Sequence, residues 1–456
     1  MLQELTLRHF KSWRNIDKMQ LAPITGLFGT NSSGKTSILQ WLLLMKQTFE
    51  SSDRKQVLDF GDDRSYVDLG SFVETIFQHS NDNVLSTSLK FRLPKAIQIA
   101  DPDSKSDVLF EGDELQFGCE IQSSKANSCM VRKMAYTFAG NEFSQAVKSD
   151  KELTKYSIRA KGKSNYKLKR VQGRAWDLPA PVKFFGFPDQ VSTYFQNAGF
   201  LSDLQLAFGE QLSRLYYLGP LREYPRRQYT WGGGQPDDMG RRGEKVIEAI
   251  LSSRDRGEMI SRGKGKSKLS LEQYVAHWLK ELGLITDFEV KPIAQGSKVF
   301  EVQVKRTAQS SPVLITDVGF GISQILPVIA LCYYVPEGST VLLEQPEIHL
   351  HPKVQSGLAD VLIDAIKVRK IQVILESHSE HLLRRLQRRI AEESIQSTDT
   401  ALYFCDYIKG ESRLTPLDVD LIGNIRNWPK DFFGDTMTEM AETQKARLRR
   451  QSEGAA

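Results

Sequence analysis

Cysteine is scarce and scattered: the chain has four, Cys119, Cys129, Cys332 and Cys405, in 456 residues. No C-x-x-C pair occurs, which argues against a structural zinc ribbon or a disulfide framework and predicts a reducing, cytoplasmic setting. No run of about 18 apolar residues is present, so no membrane-spanning helix is expected. The first residues, L-Q-E-L-T-L-R-H-F, alternate like a strand and lack the pattern of a signal peptide. Repeats of solenoid period and long heptad arrays are missing, which removes solenoids and long coiled-coil arms.

What remains has the composition of an ordinary globular protein, 40% hydrophobic and 26% charged, at a length that predicts two lobes. The net charge of +5 decides nothing, but its distribution is uneven. Between Lys151 and Arg174 the basic residues Lys155, Arg159, Lys161, Lys163, Lys167, Lys169 and Arg170 have few acidic neighbours in sequence. Arg262, Lys264, Lys266 and Lys268 form a second run among Gly and Ser. Such clusters serve either as solvated surface or as contacts to a phosphate backbone.

Hydrophobic periodicity predicts a strand over Leu2–His9, a second near Met19–Leu21, and a short apolar strand over Pro23–Phe28 that enters a Gly-rich loop. A buried helix follows over Ser37–Phe49. Val84–Leu93 and Leu115–Ile121 alternate as antiparallel strands, separated by an acidic, loop-like interruption from Asp101 to Glu114. Helical patterns dominate from Pro188 to about Leu284, including Ser270–Leu282, which opens on a capping Ser and stops at Gly283. Strands return over Phe288–Arg306. Then come an apolar helix over Ser323–Tyr334, a buried strand over Thr340–Leu343, a helix over Val354–Ile366, a buried strand over Gln372–Glu376 and a basic amphipathic helix over Glu380–Ile390.

Gly29 to Thr36 reads G-T-N-S-S-G-K-T, a G-x-x-x-x-G-K-[ST] loop between a predicted strand and a predicted helix. Successive backbone N–H groups and the helix N-terminus can cradle nucleotide phosphates, Lys35 can reach their oxygens, and the Thr36 hydroxyl can ligate Mg²⁺. Downstream, Asp317 to Gln324 reads D-V-G-F-G-I-S-Q before a buried helix. Val341 to Pro352 reads V-L-L-E-Q-P-E-I-H-L-H-P, and Q-V-I-L-E-S-H-S-E-H carries His378 just past a strand end.

In that order these segments resemble the signature, Walker B strand and switch histidine of the prokaryotic ABC-type AAA ATPases related to OLD, RecF and SMC heads. The F-K-S-W turn, Y-L-G-P-L-R-E (Tyr217 to Glu223), S-H-S-E-H-L-L-R-R-L and N-W-P-K-D-F-F-G-D (Asn427 to Asp435) extend the resemblance over essentially the whole chain. Within that group it is similar to the PtuA-type ATPase subunits of Septu anti-phage defence systems. The implied fold class is α/β: an ABC-type P-loop NTPase head with a mixed central sheet, an antiparallel β subdomain and a helical insertion. The expected division is an N-terminal ATPase lobe over 1–185, a mainly helical insertion with returning strands over 186–310, and a C-terminal ATPase lobe over 311–456.

By motif position, the resemblance implies that Gly29, Asn31, Ser32, Ser33, Gly34, Lys35, Thr36 and Ser37 bind the phosphates of ATP. Thr36 and Glu344 would hold Mg²⁺, and Gly319, Phe320, Gly321 and Ser323 would complete the site of a second copy. His378 would be the switch. Arg8, Lys11 and Trp13 flank the base or α-phosphate, or, for Trp13, pack on a strand face. Val67–Ser71 and Gln78 are candidates for a Q-loop. The departure from the pattern is Gln345, where the family's water-activating carboxylate belongs; an amide can orient a water but carries no charge to take its proton. Glu347 either supplies that carboxylate or structures the loop with His349 and His351, whose spacing is weak for a metal site.

The implied function is an ATP-binding subunit of an anti-phage defence complex. It would assemble at least as a homodimer through composite sites, with slow or no hydrolysis. About eighty residues follow His378, few for a further domain, and seven histidines form no H-N-H constellation. Any DNA cleavage would therefore fall to a partner, and the resemblance to Septu systems implies an H-N-H, PtuB-like endonuclease. The alternative is a RecF-like repair ATPase that binds DNA directly as an ATP-gated clamp, which the basic clusters favour. The ATPase of a membrane transporter is disfavoured by the long separation of Thr36 from Asp317.

Overall fold

A computed structural model describes residues 1–100, 108–124, 128–149, 152–163, 166–171, 173, 176–263, 265–429, 432, 441–447 and 450. The chain opens with β1 (Leu2–Phe10) and β2 (Trp13–Gln20), an antiparallel hairpin, and then β3 (Ile24–Gly29), which leads into α1 (Lys35–Glu50). A short α2 (Phe72–Thr75) precedes five strands: β4 (Leu85–Ala100), β5 (Val108–Ser123), β6 (Cys129–Phe138), β7 (Asn141–Val147) and β8 (Tyr156–Gly162). With β1 and β2 they form a seven-stranded antiparallel sheet in the order β2-β1-β4-β5-β6-β7-β8.

Two expectations fail in this sheet for local reasons. The second strand begins at Trp13, not near Met19. Its buried residues, Trp13, Ile16 and Met19, recur every third position, because the register shifts between Leu5 and Leu7 and Lys18 takes a φ of 46°. A period of two therefore never shows in the sequence. The acidic stretch ending at Glu114 is a strand from Val108 onward. Phe110 points inward, while Glu111 meets Gln98 at 2.9 Å and Asp113 meets Arg92 at 3.4 Å across the sheet. Residues 101–107 lie outside those described.

After β8 come α3 (Gln190–Tyr194), α4 (Leu201–Ser213), β9 (Leu215–Leu218), β10 (Tyr229–Thr230), α5 (Val246–Asp255) and α6 (Leu271–Glu281). Ser270 caps α6 reciprocally with Gln273, and Gly283 ends it at a φ of 71°. Next are β11 (Asp287–Pro292), β12 (Val299–Lys305), β13 (Val313–Leu314), α7 (Gly321–Tyr334), β14 (Thr340–Glu344), α8 (Pro352–Arg369), β15 (Gln372–Glu376), α9 (Glu380–Ala391), β16 (Thr400–Ile408) and β17 (Glu411–Pro416). Strands β10–β13 make a small antiparallel sheet.

The remaining six strands are ordered β17-β16-β3-β15-β14-β9, parallel except for the β16–β17 hairpin. The fold is thus α/β, with a mixed central sheet and a separate antiparallel one. Leu215–Leu218, within the segment expected to be an insertion, is the edge strand of the central sheet. The central strands are apolar on both faces, as a covered parallel sheet requires. Leu27, Leu342 and Ile374 face one core, shared with α1, α4 and the antiparallel sheet. Phe28, Val341, Leu343, Val373 and Leu375 face the other, under α5 to α9.

The C-terminal end of α1 has an unusual fastening. Lys183 is buried, and its Nζ donates to the carbonyls of Thr48 (2.7 Å), Phe49 (2.9 Å) and Ser51 (2.5 Å). One ammonium therefore satisfies carbonyls that the helix leaves open, at the negative end of its dipole.

Candidate nucleotide site

Three neighbouring parallel strands end side by side and carry the site. β3 delivers the loop Gly29–Gly34, β15 ends at Glu376, and β14 ends at Glu344; in the parallel register Glu344 lies opposite Glu376. The loop's shape depends on two glycines. Gly29 has a φ of 136°, and a Cβ there would stand 1.9 Å from the Cys405 carbonyl oxygen. Gly34 has a φ of 89°, and its Cβ would meet Ser412 Oγ at 2.5 Å and Ser12 Oγ at 2.7 Å. Trp13 Nε1 donates to the Gly34 carbonyl at 2.9 Å. Trp13 is fully buried, so it braces the loop from behind and has no open face for a base.

Lys35 is buried, and its Nζ reaches the Thr30 carbonyl at 2.6 Å, the Gly29 carbonyl at 3.2 Å and Ser33 Oγ at 3.4 Å. Burial lowers its pKa, and the carboxylates of Glu376 and Glu347 oppose that. The loop thus holds an ammonium through its own carbonyls, beside exposed Asn31 and Ser32. Ser33 is buried and donates to the Thr30 carbonyl at 2.8 Å, and Ser37 N donates to the Gly34 carbonyl at 3.1 Å. Thr36 Oγ1 donates to Glu376 Oε2 at 2.6 Å.

Glu344 is buried and does not take the Thr36 proton. Tyr217 Oη donates to its Oε1 at 3.0 Å, and Arg222 Nη2 donates to its backbone carbonyl at 3.3 Å. Burial first, and the neighbouring Glu376 second, push the Glu344 carboxyl up to about 7. Gln345 adopts a φ of 41° and donates its N–H to the Glu376 carbonyl at 2.9 Å. This left-handed residue turns the chain back so that Glu347 rejoins the cluster. Glu347 Oε1 accepts the His378 backbone N–H at 2.7 Å, while its Oε2 is buried with no hydrogen-bond partner among the described residues. Burial raises the Glu347 pKa, and the bond from His378 pulls it down. Burial and then Lys35 lower the His378 pKa, against a hydrogen bond with the Gly29 backbone.

The cluster therefore gathers Gly29, Ser33, Gly34, Lys35, Thr36, Ser37, Glu344, Glu347 and His378. It also includes Glu376, Tyr217 and Arg222, to which the sequence reading gives no role. The Y-L-G-P-L-R-E segment was the available signal for two of them. Arg222 is 3% exposed, its Nε and Nη1 lack partners among the described residues, and burial lowers its pKa to about 10.

Other candidates stand elsewhere. Gly319, Phe320, Gly321 and Ser323 form the N-terminal turn of α7. There the Phe320 ring meets Tyr224 at 5.4 Å and His349 at 5.3 Å, and Ser323 Oγ donates to the Phe320 carbonyl at 2.7 Å. None of these contacts is with the phosphate loop. Arg8 is exposed and donates to Asn15 at 3.1 Å. Lys11 donates to Gln40 at 2.6 Å and is lowered in pKa by burial, against Glu344. Val67 is pinned by Gln47, about 18 Å along α1 from Lys35, and Gln78 is an exposed turn residue with a φ of 55°.

His351 caps α8 and His349 packs on Phe320, so neither joins Glu347; no group of three or more His, Cys, Asp or Glu among the described residues could hold a metal. Of the basic clusters, Lys155 does have acidic neighbours, Glu152 at 2.8 Å and Asp177 at 3.9 Å. Arg159 and Lys161 are exposed on β8, the sheet's outer strand, where charge also discourages edge pairing. Lys151, Lys264, Arg174 and much of Asn427–Asp435 lie outside the described residues. Among the described residues no helix is long and apolar enough to cross a membrane.

The donor set fits a magnesium nucleotide. Lys35 is satisfied only by loop atoms that phosphate oxygens can replace, a hydroxyl stands at the first turn of α1, and one buried carboxylate oxygen, on Glu347, is unclaimed. Mg²⁺ at such sites takes one or two carboxylates together with substrate phosphates and supplies charge neutralisation between them. Thr36, Glu344 and Glu376 are the residues that would hold it.

Residues 248–384 match the family described as "AAA domain, putative AbiEii toxin, Type IV TA system", and residues 395–442 match a "Protein of unknown function (DUF3696)". Among curated proteins, none matches this chain. Similar solved structures include an SMC head domain from Thermotoga maritima, with 12% identity, a TM-score of 0.43, and 92% of this chain and 99% of that one covered. Another is an SMC head bound to the C-winged helix domain of ScpA (11%, 0.45, 92% and 98%). A third is an SMC head with an extended coiled coil bound to the C-terminal domain of ScpA derived from Pyrococcus furiosus (10%, 0.44, 91% and 96%). The first family match spans the α7 turn, β14 and β15, and the loop ahead of it has the strand–loop–helix geometry of a P-loop.

Proposed function

We propose that the chain is an ATP-binding subunit that works by clamping Mg²⁺–ATP between two copies, with turnover slow or absent. The observation that carries the nucleotide reading is the convergence of Lys35 and Thr36 with Glu344, Glu347, Glu376 and His378 at three adjacent strand ends. The open turn at Gly319–Ser323, away from its own loop, supports completion of the site by a second copy. Gln345 supports slow turnover: its amide can orient a water, and the carboxylate next in line, Glu347, is held by the His378 N–H. The finer assignment, an anti-phage defence complex in which the heads regulate an H-N-H endonuclease partner, is supported by the sequence resemblance to Septu ATPases.

The test is titration with a fluorescent ATP analogue. Wild-type protein binds, and Lys35→Ala weakens binding by at least about tenfold, the worth of a charge-assisted contact to phosphate. Equal binding by both proteins sinks the reading. Hydrolysis by wild type stays well below about ten per second, an ordinary enzyme rate, and Gln345→Glu raises it. For the defence assignment, co-expression with an H-N-H nuclease gives a complex of defined native mass, whereas steeply salt-dependent DNA binding by the isolated chain would favour a DNA clamp instead.

A further inference from the structure

Glu344 and Glu376 are both buried, at 7% and 3% exposure, and stand opposite each other on adjacent parallel strands. The motif order assigns the Mg²⁺ role to Glu344, yet the two carboxylates have different partners. The Glu344 carboxylate accepts from Tyr217 Oη, while Arg222 holds the Glu344 backbone carbonyl. Glu376 takes the Thr36 hydroxyl at 2.6 Å and is the foremost acidic neighbour of Lys35. A second buried carboxylate acts on the same ammonium: Glu347 is 6% exposed, and its Oε2 has no partner among the described residues.

We infer that Glu376 is the positioning carboxylate of the Mg²⁺ site, the part that Walker B position 344 would ordinarily play. A hydroxyl has one proton and two lone pairs. By taking the proton of Thr36, Glu376 leaves the lone pairs of that oxygen for the phosphate side, where Mg²⁺ would be held. Its own remaining lone pairs would be available to water on a bound ion. Glu344, tied to Tyr217, stands behind it as the secondary carboxylate. The strand between the loop strand and β14 thereby supplies a charge that the neighbouring Gln345 does not. This inference rests on the reading of the site as one for Mg²⁺–ATP.

The experiment measures affinity for a fluorescent ATP analogue by the full chain in excess Mg²⁺ and in EDTA, with Mn²⁺ electron paramagnetic resonance counting the metal held at saturating ATP. Glu376→Gln keeps its metal-free affinity but loses about tenfold or more of the Mg²⁺-dependent gain, the usual cost of removing a carboxylate that orients a metal's ligands. Glu344→Gln loses less, and Glu376→Asp, which keeps the charge on a shorter stem, about threefold. If Glu376→Gln fails to fold, Glu376→Asp decides alone, and an unchanged Mg²⁺ dependence in it overturns the inference. A full Mg²⁺ response in folded Glu376→Gln, or the larger loss in Glu344→Gln, also overturns it and leaves ATP binding intact. So does wild-type affinity that is the same in Mg²⁺ and EDTA. No analogue binding by wild type in either condition removes both the inference and the nucleotide reading.

Discussion

The loop Gly29–Thr36 and the turn Gly319–Ser323 are both glycine-rich entries to a helix, yet they are built in opposite ways. The first is crowded. Cys405 O, Ser412 and Ser12 fill the space beside its glycines, and Trp13 holds its last carbonyl. The second is open: nothing lies within 4 Å of where a Gly319 Cβ would stand, and Phe320 is 39% exposed. A crowded loop has one shape and receives a ligand into backbone already in place. The open turn leaves room beside Gly319 for something brought from outside, the asymmetry that the proposed two-copy site requires.

The contrast breaks most visibly on a methyl group. Gly29→Ala should cost about 3 kcal/mol or more in urea unfolding, because the clash is with backbone at a positive φ. Gly319→Ala should stay within about 0.5 kcal/mol. Similar losses in the two would show that the turn is as constrained as the loop.

A smaller effect separates the carboxylates behind the loop. With the Glu344 carboxyl raised from 4.5 to about 7, folding favours its protonated form. Its contribution is complete below pH 4.5 and is lost as pH rises through 7. Glu344→Gln should therefore gain stability relative to wild type between pH 5 and pH 8, by on the order of 2 kcal/mol. Parallel pH profiles for the two proteins would refute the assignment. The smallest effect belongs to the turn: Phe320→Ala should change unfolding by less than about 1 kcal/mol, while reducing ATP-dependent dimer formation in sedimentation runs. A large stability loss with intact dimers would place Phe320 in the core instead.

Much of this was legible in the sequence because it is local. The loop, α1, α6 with its Ser270 cap, and the buried strands β14 and β15 announce themselves by spacing and punctuation. What was not legible depends on register between distant segments. β2 hides its alternation behind a bulge, and acidic Glu111 and Asp113 read as loop until Gln98 and Arg92 stand opposite them. Glu376 is an unremarkable strand end until parallel pairing sets it against Glu344 and Thr36, some 340 positions away in sequence. Gln345 is visible as a substitution, but its left-handed turn, which returns Glu347 to the cluster, is not.

The three carbonyls gathered by Lys183 give α1 a second fixed end. A helix of 16 residues spans about 24 Å, with phosphate-facing N–H groups at one end and this ammonium rivet at the other. Lys183 belongs to the segment that leaves the antiparallel sheet, and the same sheet reaches the other end of the helix through Trp13 on the Gly34 carbonyl. The helix is thus a rod held at both ends from one sheet, which ties the position of the loop to that sheet.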